Sequence, residues 1–242
     1  MYLSPFISYF GGGILSNIII DKRMECIANC VRNEAILADI GTDHGKLPIY
    51  LVQTGKIKKA IAADINEMPL QKAKDNIRKY GLDSFIDTYL TDGLCGIEKF
   101  SPTDVVIAGM GGELIMQILS MQTIEKNGVK YILQPMTKED SLREYLCENG
   151  YMIVDEYLVK ENKVYQIICA EYCGKNQEMT DAEYLLGRIN IEKKEAYFDE
   201  LLLKVIERIK VKIAGRQKAG LDVVQENKCL EQLLDIKEKS NG

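Results

Sequence analysis

Only one of the 242 residues is a histidine, and no two cysteines stand in a Cys-x-x-Cys pair. A zinc site of paired thiolates and imidazoles is therefore not expected, nor is a cysteine-held iron–sulfur cluster. The seven cysteines are odd in number and irregularly spaced, which reads as reduced thiols in a cytoplasmic protein. Cys26 and Cys30, one helical turn apart, and Cys169 and Cys173 read as small buried hydrophobes. Long apolar runs are missing too: nothing reaches the roughly twenty residues needed to span a bilayer, so no membrane association is expected. Residues 1–14 carry Tyr2, Phe6, Tyr9, Phe10 and three consecutive glycines but not the basic flank and apolar core of a signal peptide. They read as a loosely packed extension, with stacking of the aromatics on unpaired bases as the other reading. Positive charge is also short. A formal net charge of −5 excludes a protein that holds nucleic acid by bulk charge, so a nucleic-acid enzyme of this composition would need a local basic face.

What is present centres on Ile36-Leu37-Ala38-Asp39-Ile40-Gly41-Thr42-Asp43-His44-Gly45. A short run of β-formers enters a turn with two glycines, and an apolar helical pattern, Leu47 to Val52, follows: a strand, a ligand loop and a helix start. Gly41 suits the tight turn, and Gly45 lets the helix begin against the sheet. The loop is not the Gly-x-Gly-x-x-Gly of dinucleotide folds, because Asp43 occupies the second glycine position and Asp39 precedes Gly41 by two residues. Such a loop disfavours a pyrophosphate, which makes a nicotinamide dehydrogenase the least favoured class. It suits a nucleoside ligand that also carries a sulfonium and an ammonium, as S-adenosylmethionine does.

The strand ends that follow repeat the theme. Ala60 to Asp64 reads as a second strand, and Asp64 lies 23 residues beyond Gly41, near the spacing at which an acid meets ribose hydroxyls, with Ile65 beside it. Asp64 as a helix N-cap is the competing reading. A strand from Phe85 to Leu90 delivers Asp92 and Gly93, either to a cofactor amino group or to a local turn. The strand Asp104 to Ala108 opens into Gly109-Met110-Gly111-Gly112, whose bare backbone leaves room for a flat ligand; Met110 either lines that site or fills a gap. The Asn/Asp-Pro-Pro-aromatic motif of many amino methyltransferases is absent here, which is consistent with a ring nitrogen as the methylated atom.

Asp-Ile-Gly-Thr-Asp-His-Gly-Lys-Leu-Pro at 39–48, Ala-Ala-Asp-Ile-Asn at 62–66, Thr-Asp-Gly-Leu at 91–94, Ala-Gly-Met-Gly-Gly at 108–112 and Leu-Gln-Pro-Met at 133–136 together resemble the bacterial tRNA (adenine-22-N1)-methyltransferase family. The likeness runs from about Leu15 to the C-terminus. It implies methyl transfer from S-adenosylmethionine to N1 of an adenine in the D-arm region of tRNA, with Asp39, Gly41, Asp43, Gly45, Asp64, Ile65, Asp92, Gly93, Gly109, Met110 and Gly111 around the cofactor. A methyltransferase for another RNA or a small molecule, and a non-catalytic cofactor-binding module, are the alternatives. Asp43 and His44, the single histidine, are the candidates for stabilising charge on the methylated ring or taking a proton from it; hydrogen bonding within their own turn is the competing role.

The rest of the chain completes an α/β architecture, a Rossmann-like class I methyltransferase sheet. A helical pattern from Ser16 precedes the first strand. A fifth strand, Lys130 to Gln134, and a helix, Lys138 to Asn149, are followed by two strands, Tyr151 to Val159 and Lys163 to Tyr172, whose short link makes them an antiparallel hairpin. Strands end at Gly174, giving a catalytic domain over 1–174 and a helical domain over 175–242. Residues 181–217 are helical in period, with Phe198, Leu202, Ile209 and Ile213 in a stripe, and a second helix follows Gly220: a helical hairpin or coiled coil. Lys204, Arg208, Lys210, Lys212, Arg216 and Lys218 face a single acid, Glu207, in that stretch. Lys204, Arg208, Lys212 and Arg216 are the candidate tRNA contacts, the other reading being a solvated helix face. A monomer or weak homodimer is expected.

Overall fold

The computed structural model describes residues 17–241; the aromatic N-terminal stretch lies outside them. In chain order the elements are α1 (Lys22–Cys30), β1 (Ile36–Ile40), α2 (Lys46–Gln53), β2 (Lys59–Asp64), α3 (Glu67–Lys79), β3 (Ile86–Leu90), β4 (Asp104–Met110), α4 (Gly112–Ser120), β5 (Lys130–Pro135), α5 (Glu139–Glu148), β6 (Tyr151–Lys160), β7 (Val164–Tyr172), α6 (Asp181–Leu186), α7 (Arg188–Lys193), α8 (Phe198–Lys218) and α9 (Val224–Asn241). Seven strands form one sheet in the order β3-β2-β1-β4-β5-β7-β6. β1 to β5 run parallel, and β7 is antiparallel to both β5 and β6.

Alternation along the strands divides the core in two. Ala38, Ile40, Val105 and Ile107 face α4 and α5 with Ile115, Leu119 and Leu142. Leu37, Ala62, Val106 and Ile132 face α1, α2 and α3 with Ile27, Ile49 and Ile77. Helices on both faces explain why Val105, Val106 and Ile107 are all fully buried. The chain reverses its order across the sheet between β1 and β4, and ligands of such folds bind at that switch point.

The N-terminal helix starts later than its pattern suggested. Asp21 accepts from the Met24 backbone N–H at 2.7 Å and caps α1, so the helix begins at Lys22, and Ile19 is 90% exposed. At its other end, Lys56 Nζ donates to the carbonyls of Ala28 and Asn29 (2.7 and 3.0 Å), and Lys130 Nζ to that of Cys30 (2.9 Å). Cations here satisfy carbonyls that the helix cannot and complement its dipole. β4 runs two residues past Ala108 to Met110, with a register shift against β5 that places Gly109 at φ +76°.

Residues 181–217 are not one helix but three. The first break is at Gly187, whose φ is +88° and whose added Cβ would lie 2.4 Å from the Glu156 carboxylate; the second spans Lys194 to Tyr197, both at positive φ. The expected stripe is nevertheless buried: Phe198, Leu202, Val205, Ile206, Ile209 and Ile213 pack on Leu233 of α9. α8 and α9 form the expected helical hairpin, and α6 is laid against it through Ala182, Leu185 and Leu186. Val164 of β7 shares this core. Between the sheet and these helices lies a buried ionic network: Arg143 Nε donates to Glu156 Oε1 (2.7 Å), its Nη2 to Gln166 Oε1 (2.7 Å) and its Nη1 to the Tyr184 carbonyl (2.9 Å). Glu156 Oε2 accepts the Ile189 N–H at 3.0 Å. Arg143 and Glu156 are both fully buried.

Candidate active site

β1 delivers its last residues to a loop held down by the neighbouring strand: the N–H groups of Gly41 and Thr42 both donate to the Ala63 carbonyl, at 2.8 and 3.0 Å. Gly41 needs its missing Cβ twice, since φ is +74° and a Cβ would overlap the Met110 methyl. His44 and Gly45 are also left-handed, at φ +55° and +70°, and Gly45 opens α2. The turn thus aims the start of α2 at the switch point, where helix N-termini favour anions on their N–H groups and acids beside them.

Three carboxylates converge at these strand ends. Asp39 is only 7% exposed and accepts the Thr42 hydroxyl at 2.6 Å. Burial pushes its carboxyl up, the Thr42 hydrogen bond opposes this, and the charges of Asp43 and Asp64 add to it, so that it titrates at about 6. Asp43 is exposed and pairs with Lys46 Nζ at 2.8 Å, with His44 Nδ1 at 3.6 Å. Partial burial pulls the Asp43 carboxyl up, but the hydrogen bond and charge of Lys46, with the charges of His44 and Arg23, hold it below its ordinary value. Asp43 is therefore a standing carboxylate rather than a ready proton acceptor. Asp64 ends β2 and accepts the Asn66 N–H at 2.7 Å.

A cleft of about 340 Å³ opens here, its walls including Arg23, Asp39, Gly41, Asp43, Gly109 and Met136. The predicted residues are thus brought together only in part. Asp39, Gly41, Asp43 and Gly109 line the cleft, while His44, Gly45, Met110 and Gly111, their neighbours in the chain, are not among its lining residues. Asp64, Ile65, Asp92 and Gly93 form a ledge at the ends of β2 and β3, joined by the Thr91 N–H donating to the Asp64 carbonyl at 3.0 Å. Ile65 is 59% exposed, so the ledge offers an apolar surface beside its carboxylates. The Asp92 carbonyl also accepts the Cys95 N–H at 3.3 Å, the local turn that the residue pattern allowed.

Lys204, Arg208, Lys212 and Arg216 lie on α8, away from this cleft, and they are not equivalent. Lys212 Nζ and Arg216 Nε lie 3.0 and 3.4 Å from Glu226 Oε1 of α9, and Arg216 also donates to the Asp222 carbonyl. Those two cations tie the hairpin together. Lys204 and Arg208 are exposed and, among the described residues, have no carboxylate partner.

Two lining residues, Arg23 and Met136, and the buried Gln134 that bonds Arg23 were not among the expected site residues. Arg23 falls within the helical pattern that begins at Ser16, where an arginine among Ile19, Ile20, Ile27 and Val31 was the available signal. Its Nη1 donates to Gln134 Oε1 at 2.7 Å, and its guanidinium lies 5.5 Å from the Tyr165 ring. Gln134 is fully buried at the end of β5, and Met136 follows it into the cleft wall. The lining of the cleft thus carries both signs of charge, Asp39 and Asp43 with Arg23.

A methyltransferase domain model matches residues 20–168. The chain is 35% identical over 191 residues to the tRNA (adenine(22)-N(1))-methyltransferase of Bacillus subtilis, covering 76% of this chain and 80% of that one. The solved Bacillus subtilis m1A22 tRNA methyltransferase superposes with a TM-score of 0.76 at 31% identity, over 91% of this chain and 98% of that one. A Streptococcus pneumoniae protein solved with S-adenosyl-L-methionine gives 0.77 at 33% identity, over 89% of this chain and all of the other.

Proposed function

Since the chain belongs to the bacterial tRNA (adenine-22-N1)-methyltransferase family, we propose that it transfers a methyl group from S-adenosylmethionine to N1 of adenine 22 in tRNA, acting in the cytoplasm as a monomer or weak homodimer. The observation that carries the cofactor reading is the buried Asp39, raised to about 6 beside two further carboxylates at the strand ends. A site that crowds negative charge in this way is matched by a cationic ligand. The exposed backbone of Gly41 and Gly109 leaves room for it.

The bound cofactor supplies an activated methyl on sulfur. The protein must then hold the N1 lone pair in line with it, and positioning alone supplies much of the rate. Base pairing hides N1, so the adenine must leave its stack to reach the cleft. Methylation places positive charge on the ring, and the standing carboxylate of Asp43 stabilises it at close range. On this reading Asp43→Ala lowers turnover about 10- to 100-fold with a smaller loss of cofactor affinity. Equal losses in single-turnover rate and in calorimetric affinity would reduce Asp43 to a binding residue.

Residues 1–174 serve as the catalytic domain and 175–242 as the RNA-binding one, with Lys204 and Arg208 among its cations that have no carboxylate partner among the described residues. Replacing both by Ala raises KM for tRNA several-fold, leaves cofactor affinity unchanged and flattens the dependence of log KM on log salt by up to about 2. Lys212→Ala instead loosens the hairpin and lowers its melting temperature. These substitutions are cleaner than removal of residues 181–242, which would uncover Val164 and strip Arg143 of the Tyr184 carbonyl.

The deciding assay is transfer of labelled methyl to tRNA from a host lacking the modification, followed by digestion and nucleoside identification. Recovery of 1-methyladenosine at position 22 supports the proposal. Cofactor binding without transfer would redirect it to another RNA or a small molecule, and absence of cofactor binding would sink it.

A further inference from the structure

We infer that Cys26 and Cys30 of α1 are a peroxide-sensitive thiol pair, whose closure to a disulfide distorts the helix that walls one side of the cleft. The disulfide stands apart from the cofactor reading above; its effect on binding rests on that reading. Three thiols gather in the core beneath α1. Cys26 is half-buried, Cys30 and Cys169 are buried, and Cys30 is in hydrogen-bonding contact with both of the others. They do not close around one point: among the described residues no three metal-ligating side chains are placed to share an ion. Pairwise chemistry is what the arrangement offers.

The two thiols of α1 differ as a reacting and a resolving cysteine must. Cys26 keeps access to solvent, and contact with Cys30 holds its thiol below the ordinary value against burial and the charges of Glu195 and Glu25. Contact with Cys169 and with Cys26, together with burial, pushes the Cys30 thiol up. Cys30 Sγ donates to the Cys26 carbonyl at 3.2 Å, which keeps it over the preceding turn. With hydrogen peroxide as the oxidant, the Cys26 thiolate attacks one peroxide oxygen, the O–O bond breaks and hydroxide leaves, taking up the proton that Cys26 gave. The Cys30 sulfur then attacks the sulfenic sulfur of Cys26. The S–O bond breaks, and the oxygen departs as water with the Cys30 proton, so that two thiols are oxidised and one peroxide becomes two waters.

Closure cannot leave the helix as it is. Residues four apart on a helix have Cβ atoms about 5–6 Å apart, whereas a disulfide needs about 3.5–4.5 Å. The turn from Cys26 to Cys30 must therefore draw in by about 1–2 Å, and the hydrogen bond to the Cys26 carbonyl is lost with the Cys30 proton. Arg23, Met24 and Ile27 of the same helix line the cleft, so the tightening reshapes that wall. Strain of this kind also makes the bond easy to reduce, which makes the change reversible.

The test treats the full-length protein with a few equivalents of hydrogen peroxide, alkylates the free thiols and maps tryptic peptides. Cys26 and Cys30 share the fragment Met24 to Arg32, so their disulfide shows as the loss of two hydrogens within one peptide, restored by dithiothreitol. In Cys30→Ser the sulfenic acid is stranded and a cyclic diketone labels Cys26; in Cys26→Ser the fragment takes no label. Calorimetric affinity for S-adenosylhomocysteine is expected to fall several-fold on oxidation of wild type and to recover on reduction, and this fall is absent in Cys26→Ser. A peptide cross-linked from Cys30 to Cys169, or oxidation confined to the exposed Cys95 and Cys173, overturns the inference. So does a Cys26–Cys30 disulfide with unchanged affinity, or an equal fall in Cys26→Ser. Failure of the reduced protein to bind S-adenosylhomocysteine overturns the cofactor reading instead, while the peptide map still decides the disulfide.

Discussion

Asp39→Asn is expected to weaken cofactor binding by about 10- to 100-fold and, in the same protein, to stabilise the ligand-free fold. The first effect is the loss of a buried charge from the cationic subsite. The second follows from its titration. Burial, and then the neighbouring charges of Asp43 and Asp64, raise the carboxyl from 3.8 to about 6 against the opposing Thr42 hydrogen bond. A group raised on folding contributes stability that is fully present below its unfolded value and is lost as pH rises through the folded one. At neutral pH the ionised Asp39 thus costs the empty protein about 3 kcal/mol, from roughly 2 units at about 1.4 kcal/mol each. Asn still accepts from Thr42 but never ionises. The expected gain is a few degrees in melting temperature at pH 7.5, shrinking to nothing near pH 4. In wild type, cofactor affinity should fall about tenfold per unit as pH drops below 6, because Asp39 must give up its proton to bind a cation. Equal melting temperatures of Asp39→Asn and wild type at pH 7.5 would refute this account.

Arg143→Met should be the most damaging conservative-volume change in the core, at about 3–5 kcal/mol, or on the order of 10 °C. It leaves Glu156 charged and fully buried with only the Ile189 N–H, and it deprives Gln166 and the Tyr184 carbonyl of their donors. Replacing Glu156 by Met as well should recover much of the loss, because well-packed apolar pairs often match buried ion pairs. A double-mutant cycle on thermal unfolding measures the coupling. Since the network joins the sheet to α6 and α7, proteolysis between residues 175 and 198 should accelerate in Arg143→Met before the whole chain melts. Simple additivity of the two substitutions would contradict the network.

Much of this was legible along the chain because it is local. The strand before Gly41, the glycine loop and the acid at the end of β2 are each set by a few consecutive residues, as is the tight β6–β7 hairpin. The fold reported by TM-scores of 0.76 and 0.77 follows from that order of elements. What escaped depends on partners far away in sequence. Gly187 ends a helix because Glu156 occupies the space a side chain would need. Arg23 enters the cleft because Gln134, 111 residues on, holds its guanidinium. Lys212 and Arg216 look as free as Lys204 and Arg208 until Glu226 is placed beside them. The start of α1 was misjudged for a local reason: the apolar periodicity extended past the Asp21 cap that ends it.

The Arg143 network also orders events in time. A chain made from its N-terminus releases Arg143, Glu156 and Gln166 from the ribosome before Tyr184 and Ile189 exist to meet them. During that interval the nascent sheet holds a guanidinium and a carboxylate whose last backbone partners are still unmade, so β6 and β7 stay open to water at this edge. Translation of the closing helices seals it. A nascent chain whose first 174 residues have left the ribosome while the closing helices are still inside it would therefore display a sheet that has formed but has not locked.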